Sequence, residues 1–170
     1  YNQLDGGVGD DTYVLSSGNE PPWFDRAAND TIIDESGTDK VLFLGDVARE
    51  DIVFIKDGDD LVIRYGREQQ HLARIISNSV ERFETSDGSS ISREKIEEAL
   101  VVMATAAGKD VSALTGAEVF GNLELKTILY NAWSDDLVEH YGNSSWDEFI
   151  GNTENEMVFG GSGQDKLIGN

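Results

Sequence analysis

No cysteine occurs in this sequence, and it holds only two prolines, two histidines and few basic residues. Without cysteine there is no disulfide framework, no thiolate metal site and no cysteine nucleophile. The two prolines are adjacent, Pro21 and Pro22, and neither can donate to a β-ladder, so they mark an excursion from regular structure. Against 13 basic residues stand 33 acidic ones, for a formal net charge of −20. That charge repels nucleic acid and anionic membrane surfaces and argues against both as partners. No apolar run approaches the ~18–20 residues of a membrane-spanning helix, so direct insertion is not expected either. Signatures of catalysis are also missing: there is no Gly-x-Ser-x-Gly elbow, phosphate loop or His-Glu-x-x-His. His71 lies in an apolar, strand-like run, where a structural histidine is the default, and no serine partner stands out for His71 or His140. A non-enzymatic role is expected.

What the chain does have is apolar content and glycine in register. Its 39% hydrophobic residues are too many for a fully disordered acidic segment. Gly6-Gly7-Val8-Gly9-Asp10-Asp11-Thr12-Tyr13-Val14 and Gly160-Gly161-Ser162-Gly163-Gln164-Asp165-Lys166-Leu167-Ile168 share one pattern. In both, Gly-Gly-x-Gly-x-Asp is followed two places on by a large apolar residue. Three glycines within four residues permit a tight turn with accessible carbonyls. The aspartate closes that turn, and the apolar residue opens a short strand with its side chain inward. Hard oxygen donors without nitrogen or sulfur suit Ca²⁺ better than a transition metal. Stepping back by nine from Gly160 gives two further units, starting at Gly151 and Gly142. Their acids, Glu156 and Asp147, and apolar residues, Val158 and Phe149, keep the spacing. Asn152 and Asn143 take the second-glycine place, a mild change because Asn tolerates positive φ.

These units resemble the calcium-binding nonapeptide repeats of RTX proteins, whose pattern forms a parallel β-helix that binds Ca²⁺. The resemblance implies a secreted protein, toxin or adhesin, exported by type I secretion and folding when it meets calcium outside the cell. The implied fold is mainly β, with parallel β-roll segments, a small antiparallel β flanking region and one α-helix. Implied metal contacts are Gly7, Gly9, Asp11, Asp147, Glu156, Gly161, Gly163 and Asp165. Asp30 and Asp39, also nine apart and each followed by a short apolar run, join them. Neighbouring repeats of the same chain are the expected partners. The opening residues already fall in register with a repeat, so the chain reads as a piece of something longer.

Three segments follow from this. Residues 1–44 read as the end of a first roll block. Residues 45–110 read as a capping region, with a hairpin around Asp57-Gly58-Asp59-Asp60 and strands at His71–Ile76 and Val80–Glu84. Order and turns there resemble the domain that follows many RTX repeat blocks. A helix is expected at about 92–107, capped by Ser92 and stopped by Gly108. Residues 111–170 read as the worn start of a second block, with Phe120 and Leu129 as apolar positions nine apart. Trp23, Phe24, Trp133 and Trp146 leave open a glycan- or peptide-binding role on the same scaffold. A non-catalytic module of a secreted hydrolase or alginate epimerase is the other alternative.

Overall fold

The computed structural model describes residues 2–17, 29–45, 47–66, 69–77, 79–135, 138–141, 148–150, 156–159 and 166–168. Two units are present, Tyr1–Ser134 and Asp135–Asn170.

Among its described residues the first unit contains nine strands in two sheets. They are β1 (Asn2–Asp5), β2 (Thr12–Ser16), β3 (Asn29–Ile33), β4 (Lys40–Leu44), β5 (Val53–Asp57), β6 (Asp60–Tyr65), β7 (His71–Ile75), β8 (Arg82–Thr85) and β9 (Ser89–Ser92). One sheet runs β1-β3-β7-β6-β5, and the other runs β9-β8-β4-β2; a two-residue strand, β10 (Ser134–Asp135), comes later in the chain. The chain crosses from one sheet to the other after β1, again after β3 and again after β7. Each crossing lands parallel to the previous one: β1 pairs with β3 and then β7, while β2 pairs with β4 and then β8. Asn2 lies opposite Asp30 and Thr12 opposite Lys40, so both sheets advance by the same length of chain at this step.

Alternation explains why these short strands pair in this register. Tyr13 and Leu15 in β2, Ile32 in β3, and Val41 and Phe43 in β4 are buried, and their neighbours are not. A slip of one residue would turn every one of them outward. Tyr13, Ile32 and Val41 are thus inward, as the repeat pattern requires. Parallel stacking does not stop at Leu44, however. β7 and β8 add a third crossing although 76–81 lacks a Gly-Gly turn, because Ala73, Ile75, Val80 and Phe83 carry the apolar core onward.

Antiparallel strands then close the stack. The β5-β6 hairpin pairs with β7, and β9 pairs with β8. Its turn acids serve the hairpin: Asp57 and Asp60 both bind Arg74, at 2.5 and 2.9 Å. Helix α1 (Arg93–Ala107) follows β9 directly. The Ser92 side chain accepts the Lys95 N–H at 3.2 Å, and Gly108 ends the helix in the left-handed conformation at φ 65°. Ile96, Leu100 and Met103 face the core.

Two further helices replace the repeat expected from Val111 onward. α2 (Gly116–Gly121) is closed by a capping box between Thr115 and Glu118, and α3 (Leu123–Ala132) by Asn122. Val119, Leu125 and Leu129 are buried. Phe120 and Leu129 are helical positions, so their spacing of nine is not a strand-to-strand step. The described part of the first unit is therefore mostly β with three helices, where one was expected.

In the second unit, β11 (Val138–Tyr141) pairs parallel with β13 (Glu156–Phe159), and β12 (Glu148–Ile150) with β14 (Lys166–Ile168). Val138 lies opposite Glu156 and Glu148 opposite Lys166, and in each pair the step equals two nonapeptides. Phe149, Val158 and Leu167 all fall in these strands.

Candidate metal centre

Two turns of the first unit lie one above the other, the first from Gly6 to Asp11 and the second from Asp34 to Asp39. Backbone hydrogen bonds tie them. Gly9 N–H donates to Ser36 O at 2.8 Å, Glu35 N–H to Gly7 O at 2.9 Å, and Lys40 N–H to Asp11 O at 3.0 Å. Side chains of the acids complete the stack: Asp11 N–H donates to Asp39 Oδ1 at 2.8 Å, and Thr38 N–H to Asp10 Oδ1 at 2.9 Å. Glycine is required where the turns touch. A Cβ on Gly37 would sit 1.9 Å from the Gly9 carbonyl oxygen, and Gly7 holds a positive φ of 82°.

Within this stack Asp11, Asp34 and Asp39 each place a carboxylate oxygen within 4.8 Å of the others. Asp39 is 2% exposed. The space among them exists because residue 6 has no side chain. A Cβ there would lie 2.4 Å from Tyr13 Oη, 2.6 Å from Asp34 Oδ2 and 2.7 Å from Asp11 Oδ2. The Tyr13 hydroxyl donates to Asp34 and accepts the Gly6 N–H at 3.0 Å. Burial, then the hydrogen bond to Asp34 and its charge, raise the Tyr13 phenol above its ordinary range. Asp39 is also pushed up, first by burial and then by the charges of Asp34 and Glu81; the Asp11 N–H opposes this. Like charges converge here on a partly dry site.

The donor set is all oxygen. Carboxylates at this separation suit a hard divalent cation such as Ca²⁺, which takes six to eight oxygens in flexible geometry. Backbone carbonyls or water would supply the rest.

Of the expected ligands in this unit, Asp11 and Asp39 meet. Asp30 does not join them: it sits inside strand β3 opposite Asn2, whose Nδ2 donates to its carboxylate at 2.8 Å. Gly7 also has another task. Its carbonyl accepts from Glu35 and Ser36 at 2.9 and 3.3 Å, which uses both lone pairs. The Gly9 carbonyl packs on Gly37, so both glycines shape the turn. Asp34 is the residue that sequence reasoning missed. It occupies the first-glycine place of its turn, the place Gly6 holds in the turn beneath, and aligning the two turns would have exposed it. Asp147, Gly161, Gly163 and Asp165 lie outside the described residues, as does the side chain of Glu156.

The aromatic candidates divide similarly. Trp133 is buried and packs 6.0 Å from Phe54, ring centre to ring centre, so it contributes to the core. Trp23, Phe24 and Trp146 lie outside the described residues. His71 stacks on Tyr65 at 5.2 Å within the first sheet, and burial pushes the Tyr65 phenol up to about 12.

The chain matches no protein-family model and no curated protein.

Proposed function

We propose that this chain is a calcium-binding, calcium-completed folding module of the RTX type. Its role is structural, not catalytic, and its setting is extracellular, in a secreted or cell-surface protein exported by type I secretion. The observation that carries the proposal is the meeting of Asp11, Asp34 and Asp39 between stacked parallel turns. The strand-to-strand step of the second unit supports the same reading, because two nonapeptides make one turn of a parallel β-roll.

The mechanism follows from charge. As strands stack, carboxylates of successive turns approach and repel, opposing compaction of a chain already at −20. A divalent cation between them cancels the repulsion, and Tyr13, Ile32 and Val41 then pack without that cost. Extracellular calcium modules bind with Kd of about 10⁻⁴–10⁻³ M. Calcium at tenfold excess over Kd adds roughly 1.4 kcal/mol per site. Several such sites decide whether a marginal chain folds. In low calcium the chain is loose and exportable; in millimolar calcium it sets.

Thermal melts followed by circular dichroism test this directly. With millimolar Ca²⁺ the melting temperature rises and the β signal sharpens, relative to EGTA. Asp34→Asn weakens that response. An identical melt with and without calcium would sink the proposal.

A further inference from the structure

A pocket of about 540 Å³ lies between the outer face of the β5-β6 hairpin and the start of α2, well away from the acidic turns. Ile55, Leu114 and Phe120 form its apolar wall, with Arg64, Gln69 and Thr115 as its polar lining. Its size falls in the range of small-molecule sites.

Two polar groups of this lining lack a partner among the described residues. Arg64 is half-buried, in a chain with a large surplus of carboxylates, yet among the described residues it has neither an ion-pair nor a hydrogen-bond partner. On the neighbouring strand, Arg74 is held by both Asp57 and Asp60. Gly116 lets the Arg64 stem lie against the helix start, since a Cβ there would come 2.8 Å from Arg64 Cδ. A second positive charge stands nearby, the Lys126 ammonium 4.5 Å over the Phe120 ring.

Gln69 is the other group. It is 7% exposed and holds a positive φ of 55°, unusual for a residue with a side chain. Its Nε2 donates to the Asp51 carbonyl at 3.4 Å, which fixes the amide so that Oε1 is the other atom. Oε1 is buried with no hydrogen-bond partner. Strained backbone and an orphan acceptor persist where the surroundings, or a guest, compensate.

We propose that this pocket binds a small amide-bearing carboxylate with an apolar side chain. Its carboxylate pairs with the Arg64 guanidinium. Its amide N–H donates to Gln69 Oε1 as the Gln69 side chain yields to the guest, and its apolar part lies on Ile55, Leu114 and Phe120. A free N-acyl amino acid and the C-terminal residue of a peptide share this chemistry. The proposal does not depend on calcium at the acidic turns.

The experiment is a titration of the full chain, in calcium, with N-acetyl-leucine, N-acetyl-leucinamide and a short peptide ending in leucine, followed by amide chemical shifts. N-acetyl-leucine is expected to shift resonances of Ile55, Arg64, Gln69 and 114–120, and the uncharged leucinamide to bind roughly tenfold or more weakly. Stronger binding of the peptide identifies a chain terminus as the guest, and equal binding a free acyl amino acid. Arg64→Gln abolishes the preference for the carboxylate, while Arg64→Lys keeps part of it. Shifts that ignore the carboxylate, that fall elsewhere, or that are absent to millimolar ligand overturn the proposal. The ligand comparison needs no variant, so a misfolded Arg64→Gln leaves it decisive.

Discussion

At the scale of single residues, the acidic turns depend on what is absent as much as on what is present. Gly6 carries no Cβ, so the carboxylates of Asp11 and Asp34 and the Tyr13 phenol converge where a methyl group would collide. Gly37→Ala puts a Cβ into the Gly9 carbonyl and at an unfavourable φ. A loss of several kcal/mol, on the order of 3, is expected for such a forced shift, read as a lower urea midpoint. Asp39→Asn separates repulsion from ligation. Without calcium it raises the melting temperature, because Asp34 and Glu81 no longer face a charge; with calcium it lowers affinity. Opposite signs in the two conditions are the signature, checked by paired melts in EGTA and calcium.

Asp60 gives a pH dependence of ordinary sign. The Ser77 N–H and then Arg74 hold its carboxyl below the usual range against the opposing effect of burial. A folded-state value below the unfolded one means stability that is full above the unfolded pKa of about 3.9 and is lost as pH falls through the folded value. Urea midpoints in EGTA should therefore drop in acid, and Asp60→Asn should flatten that drop. An unchanged acid limb in the variant would count against this role for Asp60.

At the scale of elements, the repeat carried the strands and hid the helices. Period-two burial in β2, β3 and β4 was legible because each apolar residue stands at a fixed offset from the turn acid. α1 was legible from Ser92, the Ile96-Ala99-Leu100-Met103 stripe and Gly108. α2 and α3 were not read, although Thr115-x-x-Glu118 and Asn122 are capping signals. Phe120 and Leu129 happen to lie nine apart, and that coincidence outweighed the caps. Asp30 shares the nine-residue spacing with Asp39 but falls within a strand, where its carboxylate accepts from Asn2 and lies outside the group of Asp11, Asp34 and Asp39. Asp34 was hidden because an acid stands where the pattern calls for glycine. Breaking a cap tests the helix account: Ser92→Ala should cost about 1 kcal/mol, measured by urea unfolding. Phe43→Ala, in the core between the sheets, should cost about 3–5 kcal/mol.

At the scale of the molecule, a strong excess of negative charge and a parallel stack of short strands have one common solution. The first unit's first step, from Asn2 to Asp30, is longer than the two-nonapeptide step of the second, from Val138 to Glu156. The extra length is the stretch that contains Pro21 and Pro22, and the strands on either side of it keep their register. On the far side of the first unit the parallel stacking stops: the β5-β6 hairpin and β9 pair antiparallel with its last strands, β7 and β8.

Amide hydrogen exchange across the stacked turns, in EGTA and in millimolar calcium, tests the central claim most directly. The N–H groups of Gly9, Asp11, Glu35, Thr38 and Lys40 bond one turn to the other. If a cation completes the stack, their protection rises strongly on adding calcium, and more than that of Lys95 and Leu100 in α1. Equal protection in both conditions would contradict the account.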